Sequence, residues 1–345
     1  MNKLTKVGCS ALCGSLAAIS AAHAGDLSVT GGAHVTYVSL DDDTTGNPIG
    51  MASAVTFKGS GELDNGWTYA MTIAEGDAHA YSATNVDIVM GGIGSLNFNG
   101  GNSGNGIAAY DNVMPTAWEE PHGAGLSGGV KTVLGVGSSD NIQYSLPKFL
   151  GTEIKVAYAF DQGAADTADK STGQSNTLTN EGYDATIKIN PSLGTEILSG
   201  LNLYGGGSIV TVADGASDGT EDKYEAVGAI TYALGPVEIG YMVSGLYSGA
   251  STGVHTYKNT GFGVAFNVND DLSVSYGEYD TRKAGAEDSD GVGGPADRIV
   301  EVTSFQVAYT MGGASFRIAD VKVDNNLFSA DDDRTATVVS LGLAF

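Results

Sequence analysis

Val338-Val339-Ser340-Leu341-Gly342-Leu343-Ala344-Phe345 ends the chain, and its reading decides the fold. Counting back from the last residue, Phe345, Leu343, Leu341 and Val339 alternate with Ala344, Gly342, Ser340 and Val338. Alternation with a period of two places successive side chains on opposite faces of a strand. In water, a strand that stops on an exposed aromatic would be an edge prone to unwanted pairing. In a bilayer the same apolar row is a lipid-facing surface, and a spanning sheet must close so that no backbone group is left unpaired. The terminal strand therefore points to a closed transmembrane β-barrel.

The rest of the chain repeats this pattern. Sixteen alternating segments are expected, at 26–39, 50–63, 66–74, 79–90, 94–99, 139–147, 152–160, 181–190, 200–212, 222–233, 236–248, 255–268, 271–281, 297–310, 313–324 and 334–345. In one, Trp67, Tyr69, Met71 and Ile73 oppose Thr68, Ala70 and Thr72; in another, Ile154, Val156, Tyr158 and Phe160 oppose Glu153, Lys155 and Ala157. Tight turns such as Asp64-Asn65-Gly66, Leu234-Gly235-Pro236 and Met311-Gly312-Gly313 largely alternate with longer polar loops. That asymmetry belongs to an antiparallel membrane barrel, with short periplasmic turns and long external loops. The connection 190–200 is long for a turn, and 75–78 is brief for a loop.

At the other end, Lys3 and Lys6 precede a short apolar stretch, Val7 to Ile19, and Ala22-His23-Ala24 supplies the small-x-small pattern that signal peptidase accepts. Residues 1–24 are expected to be a cleaved signal peptide, and 25–345 the barrel domain. Both cysteines, Cys9 and Cys13, leave with the signal, and neither follows the aliphatic-small-small triplet of a lipid anchor. The exported chain draws no stability from disulfides. It keeps 14 basic residues (16 less Lys3 and Lys6) against 40 acidic ones, a net charge of −26. Nucleic acid is excluded as a partner, since it demands positive charge. Much of the acid lies in loops, at Asp41 to Asp43, Glu287 to Asp290 and Asp331 to Asp333. This reads as a solvated surface, or as divalent-cation bridging to lipopolysaccharide; no loop has the spaced ligands of a dedicated calcium site, and neither metal nor cofactor is expected.

The segment 100–138 differs from the other loops. Ile107-Ala108-Ala109-Tyr110-Asp111-Asn112-Val113-Met114-Pro115 is apolar enough to be buried and long enough for a helical turn, and Trp118-Glu119-Glu120-Pro121-His122 follows. A loop this long with its own apolar core is usually functional or disordered, and Val113, Met114 and Trp118 disfavour disorder. It is expected to fold into the barrel and narrow it.

Asp111-Asn112-Val113-Met114-Pro115 resembles the short helix in the third loop of general bacterial porins. Asp140-Asn141-Ile142-Gln143-Tyr144-Ser145-Leu146-Pro147, through Phe149 and Gly151, is similar to the strand that follows that loop. The terminal row Val339, Leu341, Leu343 and Phe345 resembles the signal read by the outer-membrane assembly machinery. With the signal segment and the strand count, the resemblance covers the whole exported chain. It implies a sixteen-stranded barrel in the outer membrane, usually a homotrimer, set among lipid and lipopolysaccharide and passing ions and small hydrophilic solutes by passive diffusion. It also implies a constriction with acids of the inserted loop, here Asp111, Glu119 and Glu120, facing a basic wall.

Alternation supplies the wall. If Val55 and Phe57 face lipid, Lys58 and Glu62 face the lumen; by the same logic His34, Lys155, Lys188 and Arg317 point inward, and the sequence favours Lys58 at pore height. Related porins often carry an arginine where Ser138 and Ser139 stand, so the basic wall is thin and weak to moderate cation preference is expected. A substrate-specific channel is the nearest alternative. An enzyme is disfavoured because His34, His79, His122 and His255 lack a nucleophile partner, Asp77 with His79 being the only suggestive pair, and a repeat-built adhesin would need a fixed period that is absent.

Overall fold

The computed structural model describes residues 25–41, 46–76, 81–100, 104–137, 139–161, 180–191, 196–212, 221–249, 254–285 and 298–344. The signal segment, Asp77 with His79, the acids from Glu287 to Asp290, Ser138 and Phe345 itself lie outside the described residues.

Sixteen strands form: β1 (Leu27–Leu40), β2 (Ile49–Glu62), β3 (Thr68–Glu75), β4 (Tyr81–Val89), β5 (Ser95–Gly100), β6 (Asp140–Ser145), β7 (Thr152–Ala159), β8 (Gly182–Ile189), β9 (Leu201–Val210), β10 (Lys223–Leu234), β11 (Val237–Tyr247), β12 (Val254–Asn267), β13 (Leu272–Gly285), β14 (Arg298–Met311), β15 (Ala314–Asp324) and β16 (Arg334–Ala344). Each pairs antiparallel with its neighbour in sequence, and β1 pairs with β16, so the sheet closes and no edge remains. The expected boundaries lie within two residues of these, except that β13 runs four residues further, to Gly285. Its polar end reads as loop, yet Thr281, Arg282 and Lys283 continue the ladder against Asn259, Lys258 and Tyr257 of β12. The connection between β8 and β9 holds one helical turn, Glu196–Ser199.

The register explains the closure. Tyr309 pairs with Phe316, Phe316 with Leu341, Leu341 with Val35, and Val35 with Met51, all on one face. All five are exposed, as are Phe262, Tyr276 and Phe305 on the same outer surface. A soluble protein does not display such a belt; a bilayer covers it. The C-terminal row is thus one column of a band that surrounds the barrel.

Polarity reverses at the long-loop ends of β13 to β15. There Glu278, Asp280, Glu301, Asp320, Lys322 and Asp324 carry the outward parity, while Val300, Val302, Val321 and Val323 point inward and are fully buried. Strands of 11 to 14 residues match or exceed the roughly 9–11 needed to span hydrocarbon, so their outer ends stand at or beyond the hydrocarbon edge. The inward valines need a different explanation, which the third loop provides.

Candidate functional site

The loop between β5 and β6 lies inside the barrel against the wall. Its helical turn is a 3-10 turn at Gly106–Tyr110, earlier than the sequence suggests, and Asp111 to Pro115 run on without helix. Pro115 explains this, since it disfavours helix in the residue before it and lacks an N–H of its own.

Two apolar patches dock the loop. Ile107, Tyr110, Met114 and Val133 pack with Val227 of β10, Met242 of β11 and Tyr279 of β13. Further on, Trp118, Ala124 and Leu126 pack on Val300, Val302, Ala319, Val321, Val323 and Val338, with Val38 of β1 alongside. Gly128 lies close against the valines: its φ is +62°, and a β-carbon there would lie 2.9 Å from methyls of Val300, Val302 and Val323. The inward valines are therefore a dry seat for the loop, worth about 1.5–3 kcal/mol per fully buried side chain.

Polar wall residues take up the loop's backbone groups, as burial requires. Gly106 N–H donates to Gln143 (2.9 Å), Ala117 N–H to Ser275 Oγ (2.9 Å), and Asn259 Nδ2 donates to the Lys131 carbonyl (2.6 Å). Gln306 accepts from Trp118 and Glu119 N–H (3.1 and 3.0 Å) and donates to the Glu119 carbonyl (2.7 Å). From the rim, Leu327 N–H donates to the Gly128 carbonyl (2.8 Å), and Phe328 lies under Lys283 Nζ, 4.6 Å from the ring centre. These contacts run from β6 round to β1. Opposite them stand β2, β3 and β4, whose lumen parity carries Thr56, Lys58, Thr72, Asn85 and Asp87.

The loop's acids share one stretch. Burial, then the neighbouring Glu120, pushes Asp111 up to about 6, and the same two causes raise Glu119 while Arg317 opposes them. His122 is held down to about 4 by burial and packs 4.8 Å from Tyr279, so it is neutral at pH 7. Arg317 lies 5.7 Å from the Trp118 ring centre, within cation–π range.

Of the wall residues expected from alternation, Arg317 stands against Glu119. His34 shares with it a recess of about 670 Å³ that also includes Ala52, Ala54, Ser315 and Gly342. Lys58 and Glu62 share a second recess of about 590 Å³ with Ser60, Thr68 and Asp87. Lys155 and Lys188 stand near the short-turn end by Glu153, with Lys188 Nζ 5.2 Å from the Tyr204 ring centre. Sequence reasoning did not single out the docking residues Gln306, Asp184 and Glu225, or the inward valines. A reversal of the alternation at the long-loop ends of β14 and β15, charged outward and apolar inward, was the available signal that something packs inside.

A titration follows from Asp111. Lowering pH through 6 neutralises it, so the loop's attraction for cations is expected to fall with a midpoint near 6, and D111N should flatten the curve; zero-current potentials across pH 4.5–8 would check this. The folded value lies above the ordinary 3.8, so docking of the loop is most stable below about pH 4 and weakens as pH rises through 6.

Comparison with known proteins agrees with this architecture. No curated protein sequence matches the chain. Among solved structures, OmpF of Salmonella typhi in complex with daunomycin aligns with a TM-score of 0.66 at 12% identity, covering 93% of this chain and 98% of that one. The trimer form of OmpT of Vibrio cholerae aligns with 0.62 at 11%, covering 93% and 99%. An anion-selective porin from Comamonas acidovorans aligns with 0.61 at 14%, covering 93% and 100%. At such identities the likeness establishes the fold alone. The model of the Gram-negative porin family matches residues 8–298, most of the chain. With its closed sixteen-stranded barrel, apolar outer belt and inserted loop, the chain belongs to the Gram-negative porin family, the outer-membrane β-barrel channels.

Proposed function

We propose that the chain is a general diffusion pore for ions and small hydrophilic solutes with a weak to moderate preference for cations. The observation that carries this is the third loop folded inside the lumen, with Asp111, Glu119 and Glu120 in one stretch and Arg317 as the wall cation set against Glu119. Solutes pass between that loop and the β2–β4 wall, where Thr56, Thr72 and Asn85 offer small neutral polar surface. A channel for one sugar would display aromatic rings along the path. Here Tyr110 of the loop and Tyr279 of the wall are buried between the two, and Tyr204 packs edge-on against Tyr110. The Comamonas protein shares the fold, yet selectivity depends on these side chains and is not carried by fold.

Liposome swelling tests the reading. Rates are expected to fall smoothly with solute size and to rise linearly with concentration; saturation by one solute class would favour a substrate-specific channel. The working assembly is a homotrimer, supported by the trimer form of the Vibrio relative and by the smooth outer row Leu27, Val29, Gly31, Ala33 and Val35 on β1. A heat-dissociable band at three times the chain mass on a gel is the expected sign.

A further inference from the structure

We propose that Asp184 and Glu225 are positioning residues that set the width of the constriction by fastening both legs of the third loop to one side of the wall. This rests on the loop being the constriction.

The loop leaves β5 along 104–110 and returns along 133–137. A single oxygen, Asp184 Oδ2, accepts from Ile107 N–H of the first leg (2.8 Å) and from Val136 N–H of the return leg (3.2 Å). Glu225 Oε2 accepts from Leu134 and Gly135 N–H (2.6 and 2.9 Å), and its other oxygen lies 2.5 Å from Lys223 Nζ. Three successive N–H groups of the return leg and one of the first therefore converge on two carboxylates. Turning the return leg this way needs a left-handed residue, which Gly135 supplies with φ +52°, making the concave anion seat that such turns form. Both carboxylates fall on one register row, Asp184 opposite Ser208 and Ser208 opposite Glu225.

The choice of residue type is informative. Asp184 and Glu225 are each 4% exposed, and a buried carboxylate is far costlier to place than an amide or hydroxyl. Gln143 on the first leg, and Ser275 and Gln306 on the far part, hold the loop with neutral groups. Asp184 and Glu225 add charge at the legs, where charge-assisted bonds are shorter and stronger. The fit is also tight. A β-carbon on Gly135 would lie 2.2 Å from Asp184 Oδ2, and one on Gly106 would lie 2.0 Å from it. The legs are thus tied at β8–β10 and the far part is seated at β14–β16, so the acids between the two ties are held at a fixed distance from the opposite wall.

Single-channel recording of the full-length protein tests this with a small set of variants. D184A is expected to raise unit conductance toward that of a chain with residues 112–132 excised, and to add flicker. D184N, which keeps an acceptor oxygen, is expected to stay near wild type, and E225A against E225Q should repeat the contrast. Ala108 and Gly137 lie on opposite legs, and a β-carbon on Gly137 would fall 2.5 Å from that of Ala108. A disulfide needs about 3.8 Å, a shift of about an ångström. Because that link joins the legs to each other and not to the wall, D184A/A108C/G137C should stay above wild-type conductance when oxidised as when reduced. If D184A fails to assemble, G135A displaces the same contact from the loop side. Wild-type, quiet currents from D184A or G135A, with excision raising conductance, would overturn the proposal. Excision that leaves conductance unchanged would instead overturn the constriction on which it rests.

Discussion

The D111N/E119Q/E120Q variant is expected to lose its cation preference and drift toward anions. At water's dielectric, a carboxylate about 6 Å from a passing ion is worth about 0.7 kcal/mol, roughly a threefold change in local cation concentration. Three acids on one loop would therefore account for a preference of several-fold, and their removal leaves Arg317 as the cation beside that stretch. The substitutions spare the loop's seat, because Gln306 bonds backbone groups of Trp118 and Glu119 and not the Glu119 carboxylate. Conductance should change little while the zero-current potential shifts. An unchanged potential would assign selectivity to the acidic rims instead.

V321D should act on the gate rather than the charge. Val321 is fully buried under the loop and pairs with Ser304 and Ala336 in the wall. An unpaired carboxylate there costs about 3–5 kcal/mol if the seat stays dry. The barrel keeps its backbone ladder, so relief comes by lifting Trp118, Ala124 and Leu126 from the valines. A higher, noisier unit conductance is expected, with gel migration still shifting on heating. A quiet wild-type conductance would mean that the valine seat does not hold the loop.

The barrel was legible in the sequence because each spanning strand must obey the same alternation, and a one-residue slip would turn its apolar row into the lumen. Phe316, Leu341 and Val35 satisfy that rule and fall in one outer row. The seat was not legible, because Val302, Val321 and Val323 lie on the lumen parity, where the rule expects polar residues. Their partner, Trp118 to Gly128, is almost two hundred residues away, and alternation carries no information about contacts across the lumen. The same limit affects the wall cations. Parity puts Lys58 and Arg317 on one side of the sheet, but only the path of the loop shows that Arg317 meets Trp118 and Glu119. Asp184 and Glu225 read as ordinary lumen acids until the loop's N–H groups are seen to end on them.

Cation preference at the constriction is tested most directly by the zero-current potential of the unmodified protein in a planar bilayer under a tenfold potassium chloride gradient at pH 7.5. The expected result is a dilute side that becomes positive, with a magnitude that falls as the bath is brought below pH 6. A dilute side that becomes negative would contradict it.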